Sequence, residues 1–280
     1  MLLLTACTRQ AGTSLTRSGN SAYYWKVTFS LDSTEVGFLQ EYHIKTLYCR
    51  YFDVVMDGQK GLMPNATVNF AQQVPDSLEI VPVVFIMNDC MQSYPQGLAQ
   101  RIVRRIMQMN ETNDVRNVHE IQIDCDYTAR NRSLYYRFLE EVRKEARRQG
   151  LGLSTTIRLH QLSMPAPPVD YGVLMLYNTG APERFAERNP ILDLRDVKPY
   201  LPYLKDYPLP MGAAYPVFLW QRKLHGADIS HLADYEEVVR TKRLVEAERN
   251  DLRQLILVYH LETENINRYT PKQYEAIYHH

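Results

Sequence analysis

Apolar and polar residues alternate strictly in Ile121-Gln122-Ile123-Asp124-Cys125-Asp126. That is the period of a strand with one face in apolar packing and the other carrying polar groups. The period then changes. Leu134, Tyr135, Phe138, Leu139, Val142 and Ala146 fall on one face of a helix, and a strand leading straight into an amphipathic helix is the repeating unit of a parallel sheet. The same switch recurs along the chain. Tyr23 to Leu31 reads as a first strand, His43 to Met56 contains a second, and Ile80 to Met87 is a continuous apolar run suited to burial on both faces. Further strands are predicted at Leu153 to Leu162, Gly172 to Thr179, Leu209 to Trp220 and Leu255 to Leu261. Helices are predicted around Glu35 to Tyr42, Leu98 to Ile106, Tyr200 to Tyr207 and Ala233 to Asn250. Thr270-Pro271 starts a closing one, with a hydroxyl cap followed by proline at the first helical position.

Roughly eight strands alternating with helices predict a (β/α)8 TIM barrel, one α/β domain over residues 22–280. The segment 1–21 is rich in Ser, Thr and Gly beyond its apolar start and reads as a flexible tether. A doubly wound open sheet is the alternative, but no dinucleotide or P-loop glycine pattern supports it, nor does a G-x-S-x-G elbow.

Charge narrows the function. Lys plus Arg and Asp plus Glu number 32 each, with no basic, aromatic-interleaved run, so nucleic acid is not an expected partner. The histidines lack metal-binding spacing, and no metal or cofactor is assigned. Beyond the N-terminus no stretch is long and apolar enough to span a bilayer. Leu4-Thr5-Ala6-Cys7 resembles the lipobox of bacterial lipoproteins. The resemblance implies lipidation at Cys7, membrane contact through that anchor alone, and a place in the cell envelope, periplasmic or surface-facing. Cys49, Cys90 and Cys125 read as buried thiols, with one disulfide left open.

Asp124 and Asp126 leave the same face of their strand, ~6–7 Å apart along it. At the C-terminal end of a barrel strand they sit where such folds place their chemistry. The competing reading is a pair neutralised inside the barrel. Lys26, Arg50 and Arg158 share the inward parity of their strands, three cations for two carboxylates.

Ile123-Asp124-Cys125-Asp126-Tyr127-Thr128 resembles the fourth strand of chitinase-like glycoside hydrolases (family eighteen), whose pattern is D-x-x-D-x-D-x-E. Met175-Leu176-Tyr177-Asn178 resembles that family's M-x-Y-D on the sixth strand. A closer likeness is to uncharacterised bacterial barrel domains that keep Q-I-D-x-D without the glutamate. The resemblance implies substrate-assisted cleavage, in which the sugar's own N-acetyl group attacks. It places Asp126 where the acetamido group is oriented, and Tyr177 where its carbonyl is bonded. Thr128 stands where the glutamate acid belongs, Asn178 replaces an aspartate and Ile121 the first aspartate of the motif. Threonine cannot protonate a leaving group near neutral pH. Glu183, Glu262 or Asp124 itself are the candidate replacement acids.

The candidate site therefore comprises Asp124 and Asp126 as catalytic carboxylates. Gln122, Tyr177, Asn178, Arg50, Arg158, His160 and Trp220 would surround an oligosaccharide or polysaccharide. Tyr127, Tyr177, Tyr215 and Trp220 are the aromatic residues expected on the rim. Three functions stay open: a hydrolase or lyase with a rearranged acid, a non-catalytic glycan binder, and an envelope scaffold.

Overall fold

The computed structural model describes residues 15, 17–92, 96–180, 187–224 and 227–279. Eight parallel strands form the centre: β1 (Gly19–Tyr24), β2 (Thr46–Asp57), β3 (Glu79–Ile86), β4 (Glu120–Asp124), β5 (Gly152–Ile157), β6 (Tyr171–Met175), β7 (Met211–Pro216) and β8 (Leu255–Tyr259). Each pairs with the next, and β1 pairs with both β2 and β8, so the sheet closes. The result is the single-domain (β/α)8 barrel that the alternating periods predict. The longer helices around it are α1 (Ser33–Glu41), α2 (Leu98–Thr112), α3 (Arg132–Arg148), α4 (Tyr235–Glu248) and α5 (Pro271–Tyr278).

Local chemistry sets the helix starts. The Asp32 carboxylate accepts the Glu35 N–H while Glu35 reaches back to the Asp32 N–H. Thr270 and Gln273 repeat this box ahead of α5. On α3 the predicted face, Tyr135, Phe138, Leu139, Val142 and Ala146, is the buried one.

Several boundaries differ from the sequence expectation. Strand β1 begins at Gly19, inside the segment read as tether, and ends at Tyr24. Thr28–Phe29 instead forms a short separate strand beside Asn69–Phe70. The stretch after Ile157 turns into a 3-10 helix (Leu159–Ser163), closed by Gln161, whose side chain accepts the Arg158 N–H. Leu219–Leu224 and Ala227–Leu232 make an antiparallel hairpin after β7 that the run to Trp220 does not foretell. Cys7 and Glu183 lie outside the described residues. Cys49, Cys90 and Cys125 are buried free thiols.

The lower half of the barrel interior is polar and fully paired. Arg17, upstream of β1, donates through Nε to Glu120 Oε2 at 2.8 Å and through its other nitrogens to Glu79. Glu120 also accepts from Ser154 and Tyr171, and Tyr171 meets Tyr48, hydroxyl to hydroxyl, at 2.6 Å. One layer higher, Gln122 accepts from Tyr23 at 2.7 Å and donates to Ser154 at 3.2 Å. Buried polar groups survive only when partnered in this way. The network closes the barrel below and leaves the C-terminal rim as its open end.

Candidate functional site

Above Gln122 the inward side chains become charged. Asp124, 2% exposed, accepts from Thr156 Oγ1 at 2.6 Å. Arg158, at the top of β5, stands with Nη2 3.4 Å from Asp124 Oδ1, and its Nε donates to Asp126 Oδ1. One guanidinium thus serves both predicted carboxylates. Burial pushes the Asp124 carboxyl above its ordinary value. Arg158 pulls it back, while Asp126 and Asp53 add like charge and raise it.

The neighbouring aspartate, Asp53, is a residue that the alternation does not pick out. A bulge in β2 between Arg50 and Phe52 shifts the register. Arg50 and Asp53, three apart, consequently share a side and pair through two contacts, one of 2.8 Å. The sequence does carry a trace of this, since Tyr51-Phe52 breaks the polar–apolar rhythm. Arg50 also lies over the Trp25 ring, 5.6 Å from its centroid.

Lys26 corrects the expected lattice. It leaves the barrel interior and binds the buried Glu35 on α1 at 2.7 Å and 2.9 Å. The rim set is then Arg50 and Arg158 against Asp53, Asp124 and Asp126, with carboxylates rather than cations in excess.

A cavity of ≈ 340 Å³ opens on this rim over β4 to β6, a size suited to a small polar ligand or one unit of a larger one. Asp126, Arg158, His160, Tyr177, Asn178 and Tyr200 line it. His160 is fixed by its Nε2, 3.1 Å from the Tyr127 carbonyl. Tyr177 stacks on Tyr259 at 4.3 Å and meets Phe218 edge-on. Arg158 sits 5.8 Å from the Tyr177 ring centroid. The ring is therefore held on two sides, yet among the described residues its hydroxyl has no hydrogen-bond partner, nor does the Asn178 amide. Asn178 has φ of 52°, a left-handed conformation that asparagine tolerates better than most residues.

The other predicted residues fall elsewhere. Gln122 is sealed beneath Asp124 with both ends of its amide bonded, so it supports the floor instead of touching the cavity. Arg50 and Trp220 do not line the cavity, and Trp220 belongs to the added hairpin, paired in register with His231. Tyr127 and Tyr215 are fully buried on the helix side. Tyr127 stacks on Tyr135 of α3, and Tyr215 points at Glu246 of α4. Odd parity explains both, since each neighbours an inward position on its strand. Glu262 is held among His260, Asn265 and Glu264, away from the cavity lining. Thr128 is exposed in the turn before α3, where Asn131 accepts its N–H at 2.9 Å and its carbonyl accepts the Arg132 N–H at 3.0 Å. Asn131 in turn donates to Asn88 beyond β3. Among the described residues no group of His, Cys, Asp and Glu is placed to hold a metal ion.

No family model matches the sequence, and no curated protein matches it. Solved structures do match its fold. A chitinase from Chromobacterium violaceum superposes with a TM-score of 0.58 at 12% identity, covering 93% of this chain and 98% of that one. The Bacillus cereus spore cortex-lytic enzyme SleL gives 0.57 at 15%, over 93% and 73%. An Ostrinia furnacalis Group IV chitinase, solved in complex with allosamidin, gives 0.57 at 11%, over 93% and 97%. At these identities the likenesses establish the (β/α)8 barrel fold alone.

Proposed function

We propose that this is a carbohydrate-active barrel that receives an N-acetylated sugar unit of a glycan in the rim cavity and holds it without a placed general acid. The observation that carries the reading is the Tyr177 hydroxyl, unpartnered among the described residues, which shares a cavity with Asp126. That hydroxyl is free to donate to an amide carbonyl, and the second oxygen of Asp126 is free to accept from an amide N–H. An acetamido group presents both in one plane. Hydrogen bonds between charged partners are the stronger kind, and the Arg158 Nε contact holds Asp126 in place.

Binding without cleavage follows from Thr128. Its side chain belongs to the α3 entry turn, and no carboxyl stands in its place. Anchorage to the bacterial envelope through Cys7 is part of the same proposal and rests on Leu4-Thr5-Ala6-Cys7.

Calorimetric titration with N-acetylated chitin oligosaccharides tests the binding. The wild-type protein should bind, and Tyr177→Phe should weaken it at least tenfold. Absence of binding by the wild type, or full affinity in Tyr177→Phe, refutes the reading.

One observation favours a hydrolase on the same cleft. Burial pushes the Asp124 carboxyl upward, the direction a proton donor needs. Against it, Asp124 is sealed under Arg158 and does not line the cavity. Release of reducing ends by the wild type, abolished in Asp124→Asn, would decide for that reading.

A further inference from the structure

A concavity that the rim site does not use lies outside the barrel. It has a volume of ≈ 590 Å³ and is bounded by α4, by the 3-10 turn that leads into β8 (Asn250–Arg253), and by α5. Its walls carry four cations, Lys242, Arg243, Arg253 and Lys272, against two carboxylates, Glu246 and Glu275.

The balance is uneven within the buried part as well. Lys242 is 3% exposed and Glu246 4%. Glu246 is well supplied: it accepts from Lys242 at 2.6 Å, faces Arg253 at 3.5 Å and is approached by the Tyr215 hydroxyl at 3.5 Å. Lys242 is not. An ammonium has three donors, and Glu246 is its single hydrogen-bond partner among the described residues. Lys242 lines the concavity, and its other N–H groups find no acceptor among the described residues, an arrangement that is costly unless something fills it. Arg243 and Lys272, on opposite walls, have no ion-pair partner among the described residues. Complementing the C-terminal ends of α4 and α5 would account for a cation in a last turn. It does not account for Lys242, two turns inside α4, or for Lys272, at the start of α5.

We infer that this concavity is a binding site for a phosphate ester, with Lys242 as the buried anchor and Arg243, Arg253 and Lys272 closing around the anion. Fork-shaped guanidinium donors suit phosphate oxygens, and a buried ammonium strengthens each contact by excluding water. The volume leaves room for an organic part beside the anion. The site is independent of the rim cavity. Its place beside the entry of β1, whose Gly19 N–H is bonded to the Gln254 carbonyl at 2.7 Å, puts it on the side from which the N-terminal segment arrives. A soluble phosphate ester and a phospholipid headgroup share this chemistry.

The test uses the full chain with glycerol 3-phosphate in calorimetry, and with vesicles of phosphatidylglycerol in phosphatidylcholine in co-sedimentation. Arg243→Gln/Lys272→Gln changes exposed side chains only and leaves the fold in place. It should weaken the binding seen with wild type at least tenfold, while chitin-oligosaccharide binding at the rim is unchanged. Lys242→Met, of similar volume, should remove it. Binding of glycerol 3-phosphate alone assigns a soluble ester, and binding to the charged vesicles as well assigns a headgroup. If the wild type binds neither probe, or the double variant binds as the wild type does, the inference is overturned.

Discussion

Arg158 joins two aspartates of unlike surroundings: Asp124, sealed inside the barrel, and Asp126, whose side chain is 51% exposed. The same cation is thus a structural partner on one side and a positioning group for the cavity on the other. Variants at the three positions should behave differently.

Asp126→Asn keeps the shape and removes the charge from the exposed member. Affinity for N-acetylated chitin oligosaccharides should fall at least tenfold, while stability in urea stays within about 1 kcal/mol of wild type. Unchanged affinity together with a large stability loss would remove Asp126 from the site.

Arg158→Met acts on the buried member. Asp124 keeps only its Thr156 hydrogen bond and loses its counter-charge, which costs roughly 3–5 kcal/mol near neutral pH. The loss should shrink on acidification, because a proton on Asp124 removes the unpaired charge. Urea unfolding at neutral and at acid pH measures both.

His260 supplies a separate pH dependence. Burial drives its ring pKa down to about 4, and its Nδ1 has no hydrogen-bond partner among the described residues. A folded-state value below the unfolded one stabilises the fold above the unfolded pKa. That stability is lost as pH falls from about 6.5 toward the depressed value, in total about 3 kcal/mol. Urea midpoints across this range should fall for wild type and be flatter for His260→Asn. Parallel curves would show that the ring titrates normally.

Thr128→Glu returns a carboxyl to the position that the chitinase-like pattern reserves for the acid. Proton donation is commonly worth ~10²–10⁴ in rate, so the variant should release reducing ends from N-acetylated chitin oligosaccharides where the wild type does not. The loss of the Thr128 hydroxyl contact to Asn131 is tolerable, because the backbone bond to the same side chain remains. A folded variant with no hydrolysis would mean that position 128 does not reach the bound sugar.

Cys7 should be the first residue of the mature protein and carry lipid. Mass spectrometry of membrane-fractionated protein from the native host decides, and an unmodified chain that retains Met1 in the soluble fraction defeats it.

The barrel was legible because its strands announce themselves by period, and their order follows from the helices between them. Asp124, Asp126, Arg158, Tyr177 and Asn178 were also legible, since all lie on or just beyond regular strands where parity holds. Parity failed where the backbone departs from regularity. The bulge after Arg50 brought Asp53 to the rim, and the early end of β1 sent Lys26 to Glu35. Tyr127 and Tyr215 show the opposite limit: composition marks them as suitable for sugar stacking, but their parity sends them into the helix layer. Arg17 was not foreseen at all, because a residue ahead of the first strand carries no periodicity to read.

Arg17 makes the sealing of the barrel depend on a residue outside it. Glu79 and Glu120 face each other across the floor, and the cation between them arrives on the strand's leading segment. A protease cutting upstream of Arg17 would free a barrel with its floor intact. One cutting between Arg17 and Gly19 would leave two acidic side chains opposed in a low-dielectric interior. Where the chain is cut thus decides whether the barrel endures or unravels, although neither cut comes near the rim.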